Sequence, residues 1–128
     1  MAGPARAGLF LYAKDLHGLA AFYESVLAMS RAHSSGELIV LNSPDVQLIV
    51  HAMPPDIAKS VTITSPPQKR ENSAMKFFFT VPSIAAAESI ASILGGAVFS
   101  EQWRGPGFNV RNACDPEGNV FQIRELAS

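Results

Sequence analysis

The 128-residue sequence has a single cysteine, little charge and no long apolar segment. One cysteine, Cys114, cannot form an internal disulfide, so we expect a reducing, cytoplasmic location. Ten Lys and Arg residues against eleven Asp and Glu residues give a net charge of −1, which excludes a broad basic surface for nucleic acid or acidic membranes. No apolar run approaches the roughly 18 residues that cross a bilayer. The N-terminal residues also lack the charged-then-apolar order of an export signal.

What the sequence does contain is a weak internal repeat. Residues 8–15 form a short apolar run that ends in Asp15, a typical helix N-cap, and apolar residues then recur at helical spacing. Residues 76–81 repeat the strand pattern, and Ser83 stands where a second helix begins. Laying Asp15 on Ser83 aligns both strands and both helices without a gap.

Three shorter strand-like segments follow each strand–helix pair. They lie at residues 30–33, 37–41 and 46–51, and again at residues 97–103, 108–113 and 119–125. Between the last two, Asp115-Pro116-Glu117-Gly118 has the residue order of a type I turn. We therefore predict an α+β fold with one domain over residues 1–128. It is made of a βαβββ module at about 7–52, a connector at 53–74 and a second βαβββ module at about 75–126. Each module is expected to have its own helix-covered core.

The connector is rich in Pro, Ser and Lys and is long for a compact domain. It is therefore a lid, an extra ordered element or a mobile linker. Residues 61–64 alternate like a short strand. Arg70 and Glu71 form either a solvated charge pair or, as the sharper alternative, part of a lid that carries Arg70 over a ligand.

These patterns resemble the vicinal oxygen chelate superfamily, also called the glyoxalase/bleomycin-resistance/dioxygenase family. Residues 14–16 (Lys-Asp-Leu), 22–23 (Phe-Tyr) and 26–27 (Val-Leu) resemble its signature "kDl…FY…vLG", with Ala28 in place of the usual final Gly. Residues 115–123 resemble "DPdGn.iEl". The resemblance implies that the two modules pair into a cupped, partly open mixed sheet or barrel, which holds a small ligand and often belongs to a homodimer.

The resemblance also implies where a metal site would lie, and the residues at those positions are poor metal ligands. Metal-dependent members hold a divalent ion on four cup-facing side chains, typically His, Glu or Gln. The matching positions here are Gly8, Ile49, Lys76 and Gln122. Glycine and isoleucine offer no side-chain donor, lysine is a competing cation, and one neutral amide cannot hold an ion. We therefore expect no metal cofactor.

Side chains alternate between the two faces of a strand, so each strand can be divided into a helix-facing and a cup-facing set. The helix-facing set is predicted to include Leu48, Val50, Phe77, Phe79, Phe121 and Ile123. The predicted ligand-binding residues are Phe10, Tyr12, Gln47, His51, Lys76, Phe78, Trp103, Gln122 and Arg124. For His51 and Trp103, a place in the core is the alternative.

The chemistry of these residues favours a flat or anionic ligand. The aromatic side chains suit a flat or apolar ligand. Lys76 and Arg124 supply positive charge that could bind an anionic group of a ligand, with Arg111 as a further candidate. The alternative is that a carboxylate of the protein, Glu101 or Glu125, neutralises these cations. Cys114 is expected to be a small buried hydrophobic residue rather than a nucleophile.

The leading hypothesis is a metal-free protein that binds a small aromatic or anionic molecule, with no catalytic residue assigned. The first alternative is a glyoxalase-like lyase or isomerase, similar to lactoylglutathione lyase, or a dioxygenase, with a displaced metal site. It requires at least two of His33, His51, Glu101, Glu125 and Gln122 to converge. The second alternative is a non-catalytic scaffold or regulatory dimer whose cup is filled by its own side chains. We expect a small-molecule partner, no nucleic-acid or membrane partner, and a homodimer.

Overall fold

The computed structural model describes residues 5–128. In chain order the first half contains β1 (Gly8–Ala13), α1 (Leu16–Val26), β2 (Ser30–Ser34), β3 (Leu38–Asn42) and β4 (Gln47–Ala52). The connector contains a short helix, α2 (Pro55–Ala58). The second half contains β5 (Phe78–Thr80), α3 (Ile84–Ile93), β6 (Ala97–Gly105), β7 (Phe108–Cys114) and β8 (Val120–Leu126). The repeated βαβββ order is confirmed, but the strand expected at residues 61–64 is wrong, because that segment has no regular secondary structure.

The strands form two four-stranded mixed sheets, in the orders β1-β4-β3-β2 and β5-β8-β7-β6. In each sheet the first strand of the module runs parallel to the last, and the remaining pairs are antiparallel. Within residues 5–128 the two sheets are not joined edge to edge, so they remain an open cup rather than a closed barrel. The predicted α+β fold class is confirmed. In the same part of the chain, no helix is long and apolar enough to span a membrane.

Both long helices begin at the predicted caps. The Asp15 carboxylate accepts a hydrogen bond from Gly18 N (3.0 Å), and the Ser83 hydroxyl accepts one from Ala86 N (3.1 Å). Each bond satisfies a backbone donor that the first helical turn leaves free. After α1, Ala28 adopts φ 52°, the left-handed conformation that favours glycine. The departure from the family pattern at this position therefore has a local steric cost.

The strand faces point as predicted. Leu48, Val50, Phe121 and Ile123 are fully buried against the helices, and Phe79 is buried beside them. However, the buried residues of both modules form one continuous cluster, so the expectation of two separate cores is wrong.

The reason for the single core is that α1 reaches across to the second sheet. The centroid of the Tyr23 ring lies 5.3 Å from that of the Phe121 ring, and the centroid of the Phe22 ring lies 6.1 Å from it. Helix α1 also contacts α3. Modules of about 60 residues bury too little surface to be comfortably stable alone, and sharing the helices enlarges the core.

Two buried carboxylates in the turn between β7 and β8 fix this arrangement. Asp115 has no exposed surface and accepts hydrogen bonds from the Tyr23 hydroxyl (2.6 Å), Glu117 N (2.8 Å), Asn119 N (3.0 Å) and Asn119 Nδ2 (2.8 Å). Burial raises the pKa of Asp115, and the hydrogen bonds from Tyr23 and Asn119 oppose that shift. Glu117 accepts hydrogen bonds from the backbone N–H groups of Lys14 (2.8 Å) and Asp15 (2.7 Å). The turn therefore joins the second module to the start of α1.

The same turn holds the connector. Arg70 donates from its backbone N–H to Gly118 O (2.8 Å) and from Nε to Glu117 O (3.1 Å). Gly118 has φ 88°, and a Cβ added there would overlap the carbonyl oxygen of Gln68. The connector thus includes an ordered segment at residues 68–70. Arg70 is exposed, but its hydrogen bonds tie it to the turn, and it forms no ion pair with Glu71.

We predict that Gly118→Ala destabilises the protein more than Gly107→Ala does. Both glycines have positive φ, but nothing lies within 4 Å of a Cβ added at Gly107. Gly107→Ala should therefore lower the free energy of unfolding only by the strain that alanine has in the left-handed conformation, about 1 kcal/mol. Gly118→Ala should lower it by about 3 kcal/mol, because the connector must also move. Urea unfolding measures both, and equal losses would contradict the close packing of the connector on the turn.

We also predict that Tyr23→Phe lowers the free energy of unfolding by about 2 kcal/mol at pH 7, because it leaves a buried carboxylate short of a donor. Burial, and then the nearby Asp115, raise the pKa of Tyr23 well above its ordinary value of 10.0. The folded wild type therefore keeps its phenol proton where the unfolded chain loses it, and its stability falls as pH rises above about 10.

The Phe variant has no such proton, so its stability deficit relative to wild type should narrow by about 1 kcal/mol at pH 11. Urea titrations at pH 7, 9 and 11 provide the measurement. Tyr12→Phe is the control for loss of an exposed hydroxyl and should change stability at pH 7 by less than about 0.5 kcal/mol. If the stability deficit of Tyr23→Phe relative to wild type stays the same from pH 7 to pH 11, the raised pKa of Tyr23 does not contribute to stability.

Candidate ligand-binding site

A cavity of about 970 Å³ lies between β1 and the second sheet. Its walls come from β1, from connector residues 69–77 and from parts of β6, β7 and β8. Four aromatic residues line it, namely Phe10, Phe77, Phe99 and Trp103. The volume is in the range of pockets that hold small organic ligands.

The strand register explains which side chains of the second sheet reach the cavity. Trp103 pairs with Val110 and lies on the face opposite the helices. The register between β6 and β7 shifts between Val98 and Gln102, and the segment within this bulge includes Ser100 and Glu101, both of which line the cavity. Bulges commonly occur beside binding sites, where they redirect a strand.

Charged groups surround the cavity without being locked in ion pairs. Lys69, Arg70 and Lys76 line it together with Glu71 and Glu101. The Lys69 ammonium lies 3.9 Å from the centroid of the Phe99 ring, a cation–π contact. The two ion pairs found in residues 5–128 involve other residues, so the cavity lysines are available to a ligand.

One wall of the cavity has an unsatisfied polar atom. Asn112 lines the cavity and pairs with Gln122 across the β7–β8 ladder. Its Oδ1 atom is buried and has no hydrogen-bond partner. A buried acceptor left unpaired costs about 1–3 kcal/mol, so a donor on a ligand would be favoured here.

Of the predicted ligand-binding residues, Phe10, Lys76 and Trp103 line the cavity. Tyr12 and His51 pack on Phe10, with ring centroids 5.2 and 5.6 Å away, and extend the aromatic wall along the first sheet. His51 Nδ1 lies 2.8 Å from Ala52 O, so that ring nitrogen already has a backbone partner.

The other predicted residues lie outside the cavity lining. Gln47 donates its side-chain amide to Asn42 Oδ1 (3.0 Å). Gln122 sits opposite Phe78 in the β5–β8 ladder, and Arg124 stacks on Phe78 with its guanidinium carbon 3.6 Å from the ring centroid. The structure therefore separates a group at the cavity from a group around Arg124, and it places Gln47 in neither.

The sequence of residues 8–124 matches the family of glyoxalase-like domains. The chain belongs to this family. Solved structures agree on the fold, for example a glyoxalase/bleomycin resistance protein/dioxygenase family enzyme from Burkholderia phytofirmans PsJN. It has a TM-score of 0.68 and 16% identity, and the match covers 96% of this chain and 99% of that one.

Two proteins named for antibiotics also share the fold. A bleomycin-binding protein solved in complex with bleomycin has a TM-score of 0.60 and 16% identity, with 95% of this chain and 98% of that chain covered. A fosfomycin resistance protein from Listeria monocytogenes has a TM-score of 0.64 and 14% identity, with 100% and 94% covered. At such low identity these likenesses show the fold alone. None of the curated proteins matches the sequence significantly.

Two sequence-based expectations about charge in the cup of this glyoxalase-like domain are wrong. Arg111 forms an ion pair with Glu88 of α3 (2.8 Å), and Glu125 accepts a hydrogen bond from Ile84 N at the start of α3 (2.7 Å). Both side chains therefore lie on the helix-facing side of the second sheet. Strand alternation could have shown this, because Arg111 is in phase with the buried Ala113 and Glu125 with Ile123.

The sequence interpretation missed other cavity residues. Asn112 and Phe99 could have been found by the same alternation, since each is adjacent in sequence to a buried helix-facing residue. Lys69 could not, because its position depends on how the connector docks on the turn. Cys114 is buried as expected, and burial, followed by the charge of Asp115, raises the pKa of its thiol, which disfavours the nucleophilic thiolate.

The residues at the family's metal positions do not fit a divalent ion. A Cβ at Gly8 would lie 2.7 Å from the carbonyl oxygen of Gln47, so any side chain there would have to displace the neighbouring strand. Ile49 and Lys76 carry no ligand for a cation. Across residues 5–128, no group of three or more His, Cys, Asp or Glu side chains is placed to hold a metal.

Proposed function

We propose that this glyoxalase-like domain is a metal-free protein that binds a small molecule with an aromatic or anionic part. The cavity of about 970 Å³ is the observation that carries this proposal, since it combines an aromatic wall with lysines free of ion pairs. An aromatic ring can stack on Trp103 or Phe10, and an anionic group can be neutralised by Lys69 or Lys76.

Two further points support a binding role. One structural neighbour was solved with bleomycin bound, so a chain of this fold can hold an organic ligand. The cavity also weighs against a cup that is filled by its own side chains.

An enzyme with a displaced metal has less support. Of the residues that the alternative needs, His33 is exposed on β2, at the far edge of the first sheet from β1, and Glu125 faces the helices. No observation in the described part of the chain favours a catalytic group at the cavity.

We also propose that the protein is a cytoplasmic homodimer. Phe10, Tyr12 and Phe78 are 50%, 54% and 53% exposed, although each is large and apolar. Such side chains on open sheet faces favour association with a second copy. The reducing cytoplasm is consistent with a lone, buried thiol at Cys114.

The ligand-binding proposal can be tested with 2-naphthoate, an aromatic carboxylate. Trp103 is the sole tryptophan, so protein emission reports directly on the cavity. We expect saturable quenching, and about a threefold to tenfold weaker affinity by calorimetry for Trp103→Phe, because a stacking partner becomes smaller. N-acetyltryptophanamide, titrated in parallel, corrects for absorption by the probe.

The metal-free part of the proposal is tested on the same sample, purified without a tag. Elemental analysis should find far less than one divalent ion per chain, and EDTA should leave the affinity for 2-naphthoate unchanged. Quenching no greater than that of free N-acetyltryptophanamide would sink the binding proposal. A tightly bound, stoichiometric metal would sink the metal-free proposal.

The dimer proposal predicts a mass near twice 13.7 kDa by light scattering coupled to size exclusion. Tyr12→Asp should shift the protein toward the monomer, because it places a charge in the proposed interface. Ile93→Asp is the matched control, since Ile93 is 81% exposed on α3, away from the open sheet faces. A monomeric wild type at micromolar concentration would contradict the proposal.

A further inference from the structure

Arg124 has an unusual environment for a charged side chain. Its guanidinium carbon lies 3.6 Å from the centroid of the Phe78 ring and 4.6 Å from that of Phe108. Its Nε atom is buried without a hydrogen-bond partner. In residues 5–128 Arg124 takes part in neither of the two ion pairs.

This arrangement holds the cation in place but leaves it without an acceptor. Stacking on aromatic rings stabilises a guanidinium and restricts its rotamers, but it satisfies none of the N–H donors at the edge of the group. The nearest acidic residue along the strand, Glu125, is on the opposite face and caps α3. A buried donor that lacks a protein acceptor, as Nε does here, calls for an explanation, and a bound acceptor is one.

The position of Arg124 relative to Trp103 indicates where that partner comes from. Val110 pairs with Trp103 on one side and with Arg124 on the other, so all three share one row across the second sheet. Two strand spacings, roughly 10 Å, therefore separate the backbones of Trp103 and Arg124. Arg124 lies outside the cavity lining, so a ligand that stacks on Trp103 would have to extend along this row to bring a substituent toward the guanidinium.

We propose that Arg124 recognises a carboxylate on the ligand, and this inference rests on the proposed binding function. Phe78 and Phe108 pack against the guanidinium, so an acceptor approaches along its edge. A carboxylate has two coplanar oxygens that match two parallel N–H donors of arginine, a geometry that lysine cannot reproduce. Lys69 and Lys76 are exposed and share the cavity with Glu71 and Glu101, so they attract anions with less geometric selectivity.

The test compares 2-naphthoate with 2-naphthamide, which has nearly the same shape and no charge. Calorimetry on the wild type should show at least about tenfold tighter binding of the carboxylate, the range for a hydrogen-bonded charge. In Arg124→Gln the ratio of the two affinities should fall to about two or less. Arg124→Lys should give an intermediate ratio, because it keeps the charge but loses the paired donors.

Arg104→Gln is the matched control. Arg104 follows Trp103 in β6 and so lies on the other face of the same sheet, where it is exposed and outside both ion pairs. The substitution removes the same charge, and it should leave the ratio as in the wild type. Circular dichroism and thermal melts establish that the variants fold, and Arg124→Lys carries the test if Arg124→Gln does not.

The outcomes separate this inference from the proposed function. A wild-type ratio that persists in Arg124→Gln, or a ratio near one in the wild type, overturns the role of Arg124 while leaving small-molecule binding intact. An equal fall in Arg104→Gln also overturns it, because the effect would then reflect net charge. If the wild type binds neither probe, the proposed function fails, and this inference fails with it.

Discussion

The buried carboxylates of Asp115 and Glu117 are the constraint on which the rest of the molecule depends. A carboxylate removed from water is strongly destabilising unless hydrogen-bond donors surround it. Here the donors come from distant parts of the chain: the Tyr23 hydroxyl for Asp115, and the backbone N–H groups of Lys14 and Asp15 for Glu117. The turn is satisfied only when α1 has docked against the second module. The hydrogen bonds thus select one relative placement of the two modules, and apolar burial around Phe121 stabilises it.

The cavity follows from the same constraint. Because Arg70 binds the backbone of Glu117 and Gly118, the connector is held at the turn between β7 and β8, and Lys69 reaches the Phe99 ring. The segment from residue 69 to residue 77 then forms one wall, and β1 forms another. The cavity is therefore a product of long-range docking rather than of either module alone. Its polar and aromatic groups come from both halves of the repeat and from the segment between them.

What the sequence could predict was governed by local rules. Strand alternation placed Leu48 and Val50 in the core, and capping chemistry placed the starts of both helices. Alternation alone was misleading at residues 61–64, where no strand forms. The other errors arose where charge was given priority over alternation, as for Arg111 and Glu125, or where a contact joins residues far apart. The hydrogen bond from Arg70 N to Gly118 O spans 48 positions along the chain, and no local pattern reports it. The shared core has the same origin, because the contact between Tyr23 and Phe121 depends on how the modules dock.

The residues at the positions that the resemblance assigns to a metal differ in chemistry from metal ligands. At Gly8 the close approach of the Gln47 carbonyl belongs to the parallel pairing of β1 with β4, so a metal-binding side chain there would disturb the sheet itself. In the second sheet, Arg124 lies two residues after Gln122 on the same face, and the rings of Phe78 and Phe108 hold its guanidinium group in position. A divalent ion and a guanidinium both attract anions, but they differ in what they select. An ion accepts oxygen donors from several directions, whereas a guanidinium favours two coplanar oxygens. A cup with an arginine in this position would therefore gain selectivity for the shape of the anion, without the polarising power that a metal gives to catalysis.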